Sequence, residues 1–149
     1  MNAMRRRRAA APIERVGPVV LDSSCWMEFF ADSDRADLFA PAIEAVEQLV
    51  VPVITVDELV KKLAREVGDE VVAAALSLMQ RGRVVEIDHS LALEAATLGL
   101  PLADSLIYAT ARRHAAPLWT QDAHFEGLAG VQYFPKTGAS KPTSAHHAR

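Results

Sequence analysis

The sequence predicts an α/β protein built on a central parallel sheet of about five strands, with helices covering both faces. Three observations carry this. Short β-branched runs alternate with helix-period segments along the middle of the chain, and Pro, Gly or polar clusters punctuate the pattern. Half of the 149 residues are apolar, enough for one domain with a full core. Strands alternating with helices demand a parallel sheet with right-handed crossovers.

The elements follow in order. Pro18 opens a first strand over 18–22, which ends on Asp22. Helical regions are predicted over 24 to about 31 and over 34–48, where Leu38, Ile43, Val46 and Leu49 share one face. VVPVIT, 50–55, reads as the second strand. Helices over 56–67 and 69–80 are bounded by Gly68 and Gly82, and RVVEID, 83–88, reads as the third strand. Gly99 and Pro101 divide helices over 90–98 and 102–115; APLWT and then GVQYF, 130–134, supply the last two strands. No internal repeat or linker interrupts residues 17–135.

Charge is unevenly spread. Residues 1–16 carry +4, with Arg5 to Arg8 in a row, residues 136–149 carry +3, and residues 17–135 carry −10, which together make the net −3. The expected organisation is a folded domain over 17–135 between two flexible basic extensions that solvate the protein or touch polyanions. Glu14 and Arg15 break any apolar leader after the arginines, and no stretch approaches a membrane span, so a soluble cytoplasmic protein is expected. The lone Cys25 excludes an intramolecular disulfide and a Cys-based metal site; it reads as a small core residue.

Parallel sheets bind ligands beyond the carboxyl ends of their strands, where Asp22 falls. Asp22 or Ser23 also suits a helix cap ahead of Trp26, Phe29 and Phe30. Glu58 follows the second strand, and Thr55 to Glu58 has capping-box spacing; Asp57 reads as an acid serving the helix dipole. Asp104 lies in the first turn of an apolar helix, as a site acid or as an ordinary N-terminal acid after Pro101. Asp122 comes just after APLWT, and a turn or cap explains it equally. All four nevertheless fall at one end of the sheet. Clustered carboxylates repel, so a cation is required to hold them together, and oxygen ligands without Cys or paired His select Mg²⁺ or Mn²⁺. Two such ions suit the in-line displacement of a phosphodiester.

VVLDSS, Glu58-Leu59 at a helix start, LPLADSLIYATAR and LWTQDAHFEGLAGVQYF, taken in this order, resemble the PIN domain, most closely the VapC toxins of type II toxin–antitoxin systems. The resemblance covers about residues 18–135. It implies a three-layer α/β/α sandwich and a Mg²⁺- or Mn²⁺-dependent endoribonuclease. Asp22, Glu58, Asp104 and Asp122 are the implied metal ligands, Asp22 and Asp104 the principal ones, with Ser23 and Thr120 where the family carries a hydroxyl. Ser23 replaces the more usual Thr, and Asp122 matches the family's least uniform acid. The resemblance further implies RNA as substrate, a cognate antitoxin and a homodimer; attack of a metal-bound water on the scissile phosphate is expected to leave a 5′-phosphate and a 3′-hydroxyl.

Lys61, Lys62, Arg65, Arg112 and Arg113 are candidates for RNA backbone contacts, against the alternative of solvated helix surface. His124 reads as a surface or core-edge residue, with substrate contact as the alternative. Leu, Trp26 and Phe side chains of the early helices are candidates for the antitoxin contact, against core packing. Two rival functions remain open: a catalytically silent PIN-like RNA-binding or interaction module, and a haloacid-dehalogenase-like phosphatase with Asp22 as nucleophile. The phosphatase chemistry wants an acid two residues on, where this chain has Ser24.

Overall fold

A computed structural model describes residues 17–136; the basic extension at 1–16 and the tail from 137 lie outside the described residues. Five short strands form: β1 Val20–Leu21, β2 Val50–Pro52, β3 Arg83–Val85, β4 Leu118–Thr120 and β5 Val131–Tyr133. Every pairing between them is parallel. The pairs β2–β3 and β1–β4–β5 are joined by a parallel bridge between Val19 and Leu49, where the Val50 N–H donates to the Val19 carbonyl at 2.9 Å. The strand order is therefore β3-β2-β1-β4-β5. The chain moves outward from β1 to β3, then returns to the other side of β1, so β1 and β4 flank the switch point where ligands bind in open parallel sheets.

Six helices cover the sheet: α1 Ser23–Phe30, α2 Ala36–Glu44, α3 Val53–Glu66, α4 Asp69–Met79, α5 His89–Ala96 and α6 Leu102–Arg113. Alternation along the strands decides which face each helix meets. Val19, Leu21, Leu49 and Val51 point into one core, shared with Trp26, Phe39, Leu59, Leu63 and Met79 of α1 to α4. Val20, Val50 and Leu118 point into the other, against Ile107, Tyr108 and Ala111 of α6, on which α5 packs through Leu91 and Ala95. This is the expected α/β/α sandwich. Each fully buried aliphatic or aromatic side chain is worth roughly 1.5–3 kcal/mol, so both faces hold the thin strands in place.

Several boundaries differ from the sequence reading. The helix expected over 34–48 ends at Glu44 and continues only as a 3-10 turn over Val46–Gln48. The second strand stops at Pro52 rather than 55, and Val53 already belongs to α3. The capping box from Thr55 to Glu58 therefore does not form: Thr55 lies inside the helix, with its hydroxyl buried and without a hydrogen-bond partner. Asp57 sits beyond the first turn and pairs with Lys61 at 3.4 Å. Trp26, Phe29 and Phe30 are all buried, Trp26 stacking on Phe30, so they bind α1 to the core instead of facing a partner; Leu38 is the exposed one of the large apolar side chains described in α1 and α2. Cys25 is buried as expected, its thiol donating to the Trp119 carbonyl at 3.4 Å. No described helix is long and apolar enough to cross a membrane.

Candidate metal centre

Asp22 leaves β1 and caps α1, so the capping role and a site role coexist. Its backbone is extended at φ −65° and ψ 156°, and Oδ1 accepts the Ser23 N–H at 2.8 Å. Oδ2 accepts the hydroxyls of Thr120 at 2.9 Å and Ser24 at 3.2 Å. The residue is only 5% exposed. Burial pushes its carboxyl above the usual range against these donors, and the charge of Asp104 adds to the push.

Thr120 ends β4 and is fully buried behind the acids. Its hydroxyl donates to Asp22 and accepts the Asp122 N–H at 2.9 Å, which fixes two acids from different strands against each other. Asp122 in turn caps the 3-10 turn Ala123–Phe125, accepting the His124 N–H at 2.9 Å. Its cap reading is therefore correct as well.

Glu58 lies in the second turn of α3, half-buried. Burial raises its carboxyl above the ordinary value; the nearby Ser23 hydroxyl and the Lys62 charge oppose the shift, while Asp22 and Asp104 reinforce it. Asp104 stands in the first turn of α6, its carboxyl raised by burial and by Asp122. His124, expected at the surface, is exposed but not idle: its Nδ1 lies 2.9 Å from Asp104 Oδ2 and 3.4 Å from Asp122 Oδ1. The hydrogen bond to Asp104, with the charge of Asp122, raises the pKa of the imidazole.

Asp22, Glu58, Asp104 and Asp122 line one cleft of about 380 Å³ at the carboxyl end of the sheet, with Lys62 and Lys136 on its rim. The four acids are thus brought together, and Ser23 with them. Asp104, Asp122 and His124 form the tightest group, offering ligand atoms all within 4.8 Å of one another. Asp22 and Glu58 share the cleft outside that group. Oxygen donors dominate, three of the four carboxyls are pushed up, and no thiol is present, which is a donor set suited to a hard divalent cation.

Of the basic residues marked in the sequence, only Lys62 lines the cleft. Lys61 pairs with Asp57, Arg65 with Glu66, and Arg113 with Glu94 and Asp88. Arg112 lies over the Tyr108 ring, and both Arg112 and Arg113 sit in the last turn of α6, opposite the end that carries Asp104. The sequence reading held His124 as a surface or core-edge residue, with substrate contact as the alternative, and did not pair it with Asp104. It also placed Lys136 in the basic tail, where no local signal marked it for the cleft.

Residues 19–131 match the PIN domain family. The chain belongs to that family. Among solved structures, a toxin–antitoxin complex from Klebsiella pneumoniae is similar with a TM-score of 0.67 and 22% identity, over 79% of this chain and 99% of that one. VapC20 of Mycobacterium tuberculosis, described as a toxin that cleaves the sarcin–ricin loop, gives 0.63 and 18%, over 78% and 99%. DNA-bound VapBC from Salmonella typhimurium gives 0.60 and 16%, over 80% and 98%. At these identities the likeness establishes the PIN fold. No curated protein matches the sequence. Membership in the PIN family sets the phosphatase reading aside.

Proposed function

We propose that this PIN domain is a Mg²⁺- or Mn²⁺-dependent endoribonuclease, the toxin of a type II toxin–antitoxin pair. The observation that carries the reading is the convergence of Asp22, Glu58, Asp104 and Asp122 on one cleft at the switch point of the sheet. The VapC and VapBC proteins of the same fold support the toxin assignment, and the sarcin–ricin-cleaving neighbour supports RNA as the substrate.

Asp22, Glu58, Asp104 and Asp122 would hold the cation, with His124 beside Asp104 and Asp122. When bound, the divalent ion supplies Lewis-acid stabilisation of the in-line displacement at phosphorus, leaving a 5′-phosphate and a 3′-hydroxyl. The chain's own residues prepare the site. Thr120 and the Ser23 N–H aim the Asp22 carboxylate, and the cap of the 3-10 turn holds Asp122. Burial first, and the neighbouring acids after it, raise three of these carboxyls, a bias that a bound cation would offset. A cognate antitoxin and a homodimer belong to the same reading. Against a silent interaction module stands the complete acid set.

Incubating the protein with structured RNA, with Mg²⁺, with Mn²⁺ and with EDTA, tests the reading alongside a small phosphomonoester. Cation-dependent RNA cleavage without phosphomonoester hydrolysis is expected. Cleavage that persists in EDTA, or in both Asp22→Asn and Asp104→Asn, would overturn it.

A further inference from the structure

The cleft that gathers the acids is repulsive to an RNA backbone, so cations must flank it. Two do. Lys62 lies on α3 one turn beyond Glu58, and Lys136 follows β5; both line the cleft. The strand order puts them on opposite sides, since α3 leaves β2 and Lys136 leaves β5, with β1 and β4 between. The paired cations elsewhere contrast with these: Lys61, Arg65, Arg81 and Arg113 each hold a carboxylate within 4 Å. Among the described residues neither Lys62 nor Lys136 holds a carboxylate within 4 Å; Lys62 acts on Glu58 and Lys136 on Glu28 through space, each pulling that carboxyl downward, and both ammonium groups keep donors for a phosphate.

Lys136 comes just after the last strand, and the two residues before it are fastened. Arg35, in the turn before α2, donates through Nη2 to the carbonyls of Phe134 at 3.0 Å and Pro135 at 3.2 Å. Its Nε donates to Gln121 Oε1, and the Gln121 amide donates to Glu28 at 2.9 Å. Ser33 donates its hydroxyl to the other oxygen of Glu28. One guanidinium thus ties α1, the turn before α2, the β4 loop and the segment after β5. Gln121, itself a wall of the cleft, is 6% exposed and held at both ends. Arg suits this task because its planar fork reaches several oxygens at once.

We propose that Lys62 and Lys136 form a clamp for the RNA phosphates on either side of the scissile bond, with Arg35 as the positioning residue that holds Lys136 and Gln121 at the cleft. The clamp rests on the ribonuclease reading above.

The test measures binding of a labelled single-stranded RNA by fluorescence anisotropy in EDTA across a salt series, and KM with Mg²⁺. Each phosphate contact contributes about 0.7 to the slope of log affinity against log salt for single strands. Lys62→Ala and Lys136→Ala are each expected to lower the slope by about that amount and to raise KM more than they lower kcat, with Lys136→Arg restoring both. Lys61→Ala, the same charge change one residue away on α3, is expected to leave the slope alone. Arg35→Ala should reproduce the Lys136→Ala phenotype, and the double variant should be no worse than either. Equal slopes for Lys61→Ala and the two clamp variants, or additive losses for Arg35 and Lys136, would overturn the clamp or its positioning residue. Should Arg35→Ala fail to fold, Arg35→Lys and the Lys136 pair decide. Cation-dependent cleavage with unchanged slopes sinks the clamp alone; a protein that neither binds nor cuts RNA sinks the function with it.

Discussion

The Thr120 hydroxyl donates to Asp22 Oδ2 across 2.9 Å and 98 residues of sequence, and accepts the Asp122 N–H with its lone pair. One buried hydroxyl thereby sets the relative position of two site acids. Thr120→Val keeps the shape and removes both bonds, leaving a buried carboxylate short of a donor. The expected cost is about 1–3 kcal/mol of stability and a roughly 10–100-fold loss of cation affinity. Thr120→Ser should recover most of both. Denaturant unfolding and calorimetric cation titration check this.

Glu58 gives a prediction of opposite sign for stability. Its carboxyl is raised by burial and by Asp22 and Asp104, so the folded state binds its proton more tightly than the unfolded chain does. The stability it contributes is full below the ordinary carboxylate range and is lost as pH rises through the raised folded value. Glu58→Gln removes the charge, and should raise Tm at neutral pH by a few degrees while gaining nothing near pH 3. Cleavage should be lost. Equal Tm differences at both pH values would contradict the electrostatic cause.

His124 titrates above the ordinary imidazole value because Asp104 accepts from it and Asp122 lies beside it. NMR of the ring should show the raised midpoint, and Asp104→Asn should bring it down. The stability it contributes is present below the unfolded value and is lost as pH rises through the folded one. A midpoint unmoved by Asp104→Asn would contradict the pairing.

Cys25 has a thiol pushed well above its ordinary range by burial, with the Asp22 charge next in effect. Reaction with a thiol reagent should therefore require unfolding. Modification of the native protein at the rate of a free thiol would show that α1 opens readily.

The fold was legible wherever burial on both faces makes a strand read as an apolar run, as at Val19 to Leu21 and Val50 to Pro52, and wherever Gly or Pro ends an element. Val53, Ile54 and Thr55 misled because β-branched residues favour strands, yet Pro52 ends the strand and the next turn buries Thr55 in a helix. That shift moved Glu58 from a capping position to the cleft. Asp22, Asp104 and Asp122 were visible because each follows a strand or opens a helix. The parts that were not visible join distant segments: His124 to Asp104 over 20 residues, and Arg35 to Phe134 over 99. No local pattern records such pairs.

If the four carboxylates share a divalent cation, anomalous diffraction from crystals grown with Mn²⁺ will locate it. A peak within the cleft, in contact with Asp22 and Asp104 and absent from an Asp104→Asn crystal, is the expected result. Manganese bound elsewhere, with the cleft holding water alone, would contradict it.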